Sequence, residues 1–599
     1  MLARRPHQEI RPPRPAGARF ATLGLALLVA SGGCGPREPA SRQPGGWALA
    51  GEAQASSSAG GMVVSGHPLA SEVGARVIER GGNAIDAAVA VGFALASVLP
   101  EAGNLGGGGF LVYRSASAED VRALDFREKA PGAAHRDMYL DGNGEPTEQS
   151  VIGHLAVGVP GAVAGLAEMH RELGSLPWAE LVAPAVDLAD GHVIDEVRFE
   201  HLEAGAERLA RFPASAAQFL PGGSPPPAGS RFEQPELAAT LRTIAEQGED
   251  AFYRGQIARL LVAEMESGGG IVSLEDLDAY RAVWREPIVV DYRGSTILSM
   301  PPPSSGGVTL ALILEMIEGW SELAPFGSAE LIHLEAEVMR RAFIERNLSL
   351  GDPDFVDLPL ERFLSSEHAA ALRAEIDPAR ATPTPPFSQI VAEGENTTHY
   401  SIVDAEGNAA AITTTLNSAY GSAVTVTGAG FLLNNEMDDF AAAPGKPNQF
   451  GLVEGESNAI APGKRMLSSM TPTVVVDAGG ALRLVVGSPG GPTIITSVYH
   501  TISNLLDHGM SLTEAVESPR VHHQAWPDAL FWEPGGLAPG TVERLEAMGH
   551  ELRERAATSG DVAAIAPADG AWSGVADPRR GGAAVGAARA DVLQGSGSR

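Results

Sequence analysis

The sequence predicts an α+β fold, with helices prominent in the first two thirds of the chain and strands in the last third. Residues 68–80 carry apolar side chains at helical spacing, and Gly81 and Gly82 end that helix. The Ala- and Val-rich segment that follows, to about Val98, is apolar nearly all round, which is typical of a buried helix. From Thr397 onward, runs of β-branched residues between turn residues predict antiparallel hairpins.

Two such hairpins are predicted. The first pairs residues 399–404 with 409–416 around a turn, and it places Thr397 at its leading edge. The second pairs residues 471–477 with 482–486 across a Gly-Gly turn. Between the first helices and these hairpins, helical segments alternate with loops rich in Pro and Gly.

Composition limits the classes of function. The chain has 599 residues, of which 44% are hydrophobic, enough for a large core. The formal net charge of −31 argues against a polyanion partner such as nucleic acid. An acidic protein with a local basic anchor for an anionic substrate remains compatible with this charge.

The N-terminal segment is typical of an exported protein. Arginines precede an apolar run over residues 20–30, which is too short for a membrane span. The only cysteine, Cys34, follows in a context that resembles a bacterial lipoprotein signal, although Ser31 departs from the large apolar residue usual at that position. The sequence therefore predicts a signal over residues 1–33 and a periplasmic or envelope-anchored protein with a lipidated Cys34; simple secretion is the alternative.

The residues after Cys34 are predicted to form a linker. Residues 34–61 are rich in Ser, Ala, Gly and Pro, which predicts a flexible tether between the signal and the globular part. A single cysteine also excludes disulfides and a Cys-based zinc site within one chain.

Thr397 is the strongest candidate for chemistry. A threonine hydroxyl is a poor nucleophile unless a base lies beside it, and a threonine at a chain terminus carries that base as its own α-amine. Scission between Asn396 and Thr397, where a polar Pro-rich stretch meets a strand, would create such a terminus. The alternative is a polar Thr-Thr pair that merely opens a strand.

Two glycine-rich loops are candidate binding sites. Residues 103–109 enter a strand and lack the Lys-Ser/Thr of a nucleotide loop, so they indicate close backbone approach. In residues 487–491, Ser488 follows Gly487 directly and does not form G-x-S-x-G. Paired glycines at a strand end can point successive N–H groups at an oxyanion.

Seven motifs in register resemble the gamma-glutamyltransferase family. The resemblance runs from about residue 62 to residue 579. It implies an N-terminal-nucleophile hydrolase with an αββα sandwich, made as a proenzyme that cuts itself into a large subunit (62–396) and a small subunit (397–599), which stay together as a heterodimer. The motifs are Gly81 to Ala88, Ala102 to Gly109, Leu124 to Glu128, Thr397 to Tyr400, Leu433 to Phe440, Leu467 to Met470 and Gly487 to Gly491.

The resemblance also implies the roles of individual residues. Thr397 would be both the self-cleaving group and the nucleophile, Thr415 would bond its hydroxyl, and Gly490 and Gly491 would form the oxyanion hole. The remaining implied residues bind the substrate: Arg127, Ser468 and Ser469 for a carboxylate, and Asn417, Glu436 and Asp439 for an ammonium. Without the resemblance, Arg127 would be taken for a solvated partner of Asp125 or Glu128, and residues 436–439 for a solvated acidic loop.

The implied substrates are glutathione and other γ-glutamyl compounds, whose acyl group passes to water, amino acids or dipeptides. No metal or organic cofactor is implied. Two alternatives stay open: an acylase of the same family that acts on glutaryl-type amides, and an uncleaved surface lipoprotein that only binds peptides. Retention of the ammonium-binding Asn417 and Asp439 argues against the acylase.

Two departures from the family and one neighbouring histidine qualify this picture. Residues 440–451 resemble a lid loop, but Phe450 stands where some members have tyrosine and cannot donate a hydrogen bond to Asn417. Looser gating is expected. Glu436 replaces a glutamine and adds negative charge near the ammonium. His399 adjoins the nucleophile pair, but the terminal amine already supplies the base, so a structural role is predicted.

Overall fold

Two seven-stranded sheets form the centre of the protein. A computed structural model describes residues 43–385, 397–556 and 559–589. The strands in the described part are β1 (Ala55–Ser58), β2 (Met62–Ser65), β3 (Gly108–Arg114), β4 (Val121–Phe126), β5 (His192–Val193), β6 (Arg231–Phe232), β7 (Val283–Arg285), β8 (Ile288–Tyr292), β9 (Ser295–Ser299), β10 (Thr397–Val403), β11 (Ala409–Thr415), β12 (Thr473–Asp477), β13 (Leu482–Gly487), β14 (Val521–His522), β15 (Leu530–Trp532), β16 (Leu552–Glu554), β17 (Ala563–Ala568), β18 (Ala571–Ala576) and β19 (Ala583–Gly586).

Helices cover the outer faces of these sheets and fill the middle of the chain. Among the described residues, no helix is both long and apolar enough to cross a membrane. The helices are α1 (Pro68–Glu79), α2 (Ala84–Val98), α3 (Ala162–Leu173), α4 (Trp178–Asp190), α5 (Glu196–Leu209), α6 (Pro213–Phe219), α7 (Pro235–Gln247), α8 (Asp250–Tyr253), α9 (Gln256–Gly268), α10 (Leu274–Ala279), α11 (Gly306–Glu318), α12 (Ala329–Ser349), α13 (Leu360–Phe363), α14 (Ser366–Ala374), α15 (Thr493–Leu506), α16 (Leu512–Glu517) and α17 (Pro539–Ala547).

The layers stack in the order helix, sheet, sheet, helix. One sheet has the strand order β19-β2-β10-β11-β3-β4-β7 and packs against α1, α2 and α3. The other has the order β1-β18-β17-β13-β12-β9-β8 and packs against α11, α15 and α16. Between the sheets lies a layer of buried apolar side chains such as Phe110, Val474 and Ile565. The predicted αββα sandwich is therefore confirmed.

The predicted helices and hairpins occur where the residue pattern placed them. α1 and α2 cover the two N-terminal helices, and every residue of α2 is buried, as its apolar circumference requires. β10 and β11 form the first hairpin, in which Thr397 pairs with Thr415. β12 and β13 form the second. The first hairpin therefore brings the two threonines to the same end of the sheet.

Strands from both sides of the 396/397 junction alternate in both sheets. In the first, β10 and β11 lie between β2 and β3, while β19 closes one edge. In the second, strands from after the junction lie between β1 on one side and β9 on the other. Residues 62–385 and the residues from 397 onward therefore share one interwoven domain. Asn396 and Cys34 lie outside the described residues.

The tether prediction is wrong for the described part of its range. Ala55–Ser58 form β1, an edge strand that pairs with β18. Trp47 is buried, and its indole N–H donates to the backbone oxygen of Glu517 at 2.8 Å. The small residues that suggested flexibility fit a narrow edge strand, and one aromatic side chain anchors the segment before it.

Candidate active site

A single small cavity collects nearly all the residues singled out by the sequence. Its volume is about 390 Å³, counting the part open to solvent. Gly490 precedes a lining residue directly in sequence. The predicted residues that line the cavity are Thr397, Thr415, Asn417, Arg127, Glu436, Asp439, Ser468, Ser469 and Gly491.

The β10–β11 register sets the geometry around the nucleophile candidate. The hydroxyl of Thr397 donates to Oγ1 of Thr415 at 3.2 Å, and both residues are buried. Oγ1 of Thr415 also accepts the backbone N–H of Asn417 at 2.7 Å. The hydrogen of the Thr397 hydroxyl is thus directed along the strand end, which leaves its lone pairs for an electrophile on the cavity side.

Gly491, which follows Gly490, lines the same cavity as this hydroxyl. The φ angles of Gly490 and Gly491 are 134° and 53°, a region that side chains other than glycine rarely adopt. They lie just before α15, whose positive N-terminal end faces the same region. Among the described residues, no acceptor bonds the backbone N–H of either glycine. This arrangement suits the stabilisation of a developing oxyanion.

A buried ion cluster lies at the other end of the cavity. The guanidinium of Arg127 is ion-paired with Asp439 through Nη2 and with Glu436 through Nη1, the latter at 2.7 Å. Glu128 lies 3.5 Å from Nη1. Burial alone would lower the pKa of Arg127, but Glu436 and Asp439 raise it above its ordinary value. Neither a solvated Arg127 nor a solvated acidic loop fits this arrangement, so both of those readings are wrong.

The cluster holds more carboxyl groups than cations. Three carboxylates surround one guanidinium, and both oxygens of Glu128 and of Glu436 lack a hydrogen-bond partner of good geometry. Burial raises the pKa of Glu128 to about 8, and burial likewise raises the pKa of Glu436. A cationic group that enters the cavity beside Asp439 would favour the ionised forms of these carboxyl groups.

Two serine hydroxyls beside Arg127 are set up as donors. Oγ of Ser468 accepts the backbone N–H of Met470 at 3.1 Å. Oγ of Ser469 accepts a hydrogen bond from Nη2 of Arg346 at 3.2 Å. A hydroxyl oxygen that accepts from an N–H group keeps its own hydrogen for another partner. Both hydroxyls can therefore donate to an anion in the cavity.

Arg346 is a site residue that the sequence reasoning missed. It comes from α12, is almost fully buried, and is ion-paired with Glu454, which also lines the cavity. Its Nε donates to Oγ of Ser305 at 3.0 Å. No local motif marks it, because its partners come from distant parts of the chain.

The lid segment, defined as residues 440–451, closes over the cavity. The Phe450 ring lies against Gly491, since a Cβ on that glycine would be 3.2 Å from the ring, and the phenylalanine is only 5% exposed. Phe450 makes no side-chain hydrogen bond, as expected. The residues next to Asn417 and Phe450 supply a hydrogen bond to the lid segment instead, because Oγ of Ser418 donates to Oε1 of Gln449 at 2.8 Å. Gln524 also donates to the backbone oxygen of Phe450 at 3.2 Å.

His399 takes no part in this geometry. Its ring nitrogens bond the hydroxyls of Thr413 and Ser401 at 2.8 and 3.0 Å, within the sheet. Burial lowers the pKa of His399 to about 3, so the ring is neutral. Its environment is that of a buried side chain that links two strands.

One cluster in the described part of the chain has the composition of a metal site, namely His333, Glu337 and His550. Nδ1 of His333 and Nε2 of His550 are hydrogen-bonded to each other at 2.7 Å. Glu337 is ion-paired with Arg340 and Arg341. The atoms that could coordinate a metal are therefore already engaged in a hydrogen bond between the histidines and in two ion pairs, which does not favour a divalent ion.

The fold and this cavity together define a class of protein. An αββα sandwich with a threonine at the start of a central strand, facing an oxyanion site, is the arrangement of N-terminal-nucleophile hydrolases. Residues 70–587 match the family model described as Gamma-glutamyltranspeptidase. The chain belongs to the gamma-glutamyltranspeptidase family and is an enzyme of that family.

Individual relatives agree with this assignment. The chain is 46% identical over 499 residues to a glutathione hydrolase proenzyme of Pseudomonas sp. (strain A14), covering 82% of this chain and 86% of that one. It is 44% identical over 526 residues to the glutathione hydrolase proenzyme of Escherichia coli (strain K12), covering 87% and 90%. A solved cephalosporin acylase from Bacillus halodurans superposes with a TM-score of 0.80 at 25% identity, covering 89% and 97%.

Proposed function

We propose that the protein is a self-processing γ-glutamyltransferase that cleaves γ-glutamyl amides such as glutathione through an ester on Thr397. One observation carries this proposal. The Thr397 hydroxyl, Gly491 and the Arg127–Asp439 ion pair line one cavity. The reacting atom and the two charges that an α-amino acid requires are thus within reach of one small molecule.

Processing would use the same hydroxyl as turnover. Oγ of Thr397 attacks the carbonyl carbon of Asn396, the C–N bond breaks, and the peptide nitrogen takes a proton as it becomes the free α-amine. Water then hydrolyses the resulting ester. The products are a large subunit that ends at Asn396 and a small subunit that begins at Thr397, held together by the interwoven sheets.

Turnover would follow a ping-pong course. The α-amine of Thr397 accepts the hydroxyl proton, and Oγ attacks the γ-carbonyl carbon of the donor. The N–H groups of Gly490 and Gly491 would stabilise the oxyanion, by about 3 kcal/mol for each donor. The donor's amine leaves with the proton, and water or an acceptor amine then releases the glutamyl group and restores Thr397.

The ion pair of the free cavity supports recognition of an amino acid. A substrate α-carboxylate would bond Arg127 and the hydroxyls of Ser468 and Ser469, while its α-ammonium would bond Asp439 and Asn417. The side-chain Nδ2 of Asn417 already donates to the backbone oxygen of Asn435 at 3.1 Å, which leaves its Oδ1 as an acceptor. A zwitterion inserted into an ion pair keeps every buried charge compensated.

A second candidate is an acylase for glutaryl-type amides. The similarity to a solved cephalosporin acylase favours this reading. A glutaryl group has the carboxylate for Arg127 but no ammonium, so it would compete with Asp439 for Arg127 and offer Asp439 no cation in return. The cluster therefore favours γ-glutamyl donors.

The decisive experiment compares wild type with Thr397→Ala. The wild type should run as two bands on a denaturing gel, should show an N-terminal threonine on its small subunit, and should release the chromophore of a γ-glutamyl anilide. The variant should remain one chain without activity. A wild type that stays uncut, or a variant that still cuts itself, would contradict the proposal and favour a binding lipoprotein.

We further propose that the protein is exported and anchored to an envelope membrane through lipidated Cys34. The Arg-rich start, the short apolar run and the single cysteine support this. Intact-mass measurement of the mature protein would test it. A lipid-sized mass increment on Cys34 is expected, and a mature chain that begins elsewhere without lipid would contradict it.

A further inference from the structure

A second, larger cleft adjoins the active-site cavity. Its volume is about 1190 Å³, counting the part open to solvent, and the lid segment forms one wall. Asn448, Leu452 and Glu454 line both the cleft and the cavity of Thr397. The two spaces are therefore neighbours that share one layer of side chains.

An incompletely paired cation lines this cleft. Among the described residues, the partners of the Arg208 guanidinium are two backbone oxygens, those of Val151 and Gly421, at 2.8 and 2.6 Å from Nη2. No partner is bonded to its buried Nε. Burial lowers the pKa of Arg208, and Arg211 lowers it further. A guanidinium held mainly by carbonyl oxygens still has donors for an anion.

Three other charged groups that line the cleft already have partners. Lys446 is ion-paired with Glu145, and Glu454 with Arg346. Asp438 accepts the hydroxyl of Ser150 at 2.7 Å. No ion pair joins Arg208 or Arg211 to a carboxylate among the described residues. The buried carboxyl group of Asp438 attracts Arg208 without forming an ion pair with it, so the Arg208 end of the cleft keeps guanidinium donors for an anion.

Hydrogen bonds connect that end to the segment that follows β11, beside the active-site cavity. The backbone oxygen of Val151, which accepts from Arg208, also accepts Nδ2 of Asn435 at 2.9 Å. The same Nδ2 lies 2.9 Å from Oγ of Ser418, the residue after Asn417. Asn435 also accepts a hydrogen bond from Asn417, so a chain of hydrogen bonds runs from Arg208 to a residue that lines the Thr397 cavity.

We propose that this cleft binds the part of the substrate that lies beyond the γ-glutamyl amide, and that Arg208 recognises its free carboxylate. The inference rests on the proposed γ-glutamyltransferase function. The dipeptide that leaves glutathione and an amino acid or dipeptide acceptor share this chemistry, since each has an amine at one end and a free carboxylate at the other.

The bound acceptor takes part in a simple exchange. Its amine nitrogen attacks the acyl carbon of the γ-glutamyl ester on Thr397, so that a C–N bond forms while the C–Oγ bond breaks. The proton lost by the amine passes, by way of the α-amine, to Oγ of Thr397. Arg208 touches the acceptor and not the reacting atoms, so it determines acceptor specificity.

The test varies the charge of the acceptor and the charge of the cleft together. With a γ-glutamyl anilide as donor, acceptor KM is measured for glycylglycine and for glycylglycinamide in wild type, Arg208→Gln and Arg208→Lys. The wild type should prefer glycylglycine. Arg208→Gln should raise the KM for glycylglycine about tenfold and leave that for glycylglycinamide within about twofold. Arg208→Lys should retain an intermediate preference.

Matched measurements separate the possible failures. Arg242→Gln, at an exposed arginine on α7, should keep the wild-type preference. An equal change for both acceptors, or a wild type without preference, would overturn the inference. If Arg208→Gln does not fold, the wild-type preference and Arg208→Lys decide the matter. Failure to cut or to hydrolyse the donor without acceptor would instead contradict the proposed function itself.

Discussion

Replacing Asp439 by asparagine tests whether the cavity recognises a positive charge. Asp439 pairs with Arg127 at the edge of the cavity, and its side chain is 16% exposed. Asparagine keeps the shape and removes the charge. The variant should therefore lose activity toward donors with an α-ammonium while it retains the Arg127 and serine contacts for the carboxylate.

The expected magnitude follows from the mostly buried position. Two unit charges about 4 Å apart attract by about 4 kcal/mol at an effective dielectric constant of about 20. Partial exposure of Asp439 and dehydration of the ammonium reduce the net effect to about 2 to 3 kcal/mol. The kcat/KM for a γ-glutamyl anilide should fall roughly 30- to 150-fold, while that for a glutaryl anilide should change by less than about threefold.

The assay measures both donors on the same preparations, with Asp438→Asn as the matched control. Asp438 precedes Asp439 in the sequence and is buried, but it does not line the Thr397 cavity. Asp438→Asn should change the kcat/KM for both donors by the same factor. If Asp439→Asn also lowers kcat/KM equally for both donors, the carboxylate acts only by holding Arg127 in place, and recognition of the ammonium by Asp439 is refuted.

Three further outcomes are expected. Thr415→Val removes the acceptor of the Thr397 hydroxyl, so self-cleavage on gels and kcat should both slow by about 10- to 100-fold, and an unchanged rate would contradict the positioning role. Ser469→Ala should raise donor KM about tenfold with little change in kcat, because it removes a donor to the substrate carboxylate; an effect on kcat alone would contradict this. Burial raises the pKa of Glu335 to about 8. The folded state therefore keeps a proton that the unfolded state loses near pH 4.3. The contribution of this group to the free energy of unfolding falls as the pH rises from about 4.3 to about 8. Thermal melting should therefore show Glu335→Gln more stabilised relative to wild type at pH 8 than at pH 5, and parallel melting curves would refute the shifted pKa.

Local pattern was sufficient for much of the fold. The hairpin from Thr397 to Thr415 could be predicted because β-branched runs and a short turn fix both strands and their register. The helices before residue 100 could be predicted because their apolar spacing and glycine stops are local. The αββα stacking, by contrast, came from the resemblance to a family, since no local pattern states which sheets face each other.

What the sequence concealed depends on distant contacts. Arg346 lies on α12 and completes the site only through Ser469 and Glu454, both more than 100 residues away. The burial of Arg127 and Glu436 could not be told from local composition, which favoured solvated charges. Trp47 was hidden in a segment of small residues, because the backbone oxygen of Glu517 that it bonds is remote in sequence.

The alternation of strands across the 396/397 junction has a consequence for recovery from heat. Once cut, the protein would have no boundary at which two finished halves could part, because backbone ladders such as β2–β10 and β11–β3 cross between them. Melting would release two polypeptides that must collide before either sheet can re-form. Renaturation of the mature form would then slow on dilution, whereas that of the uncut precursor would not.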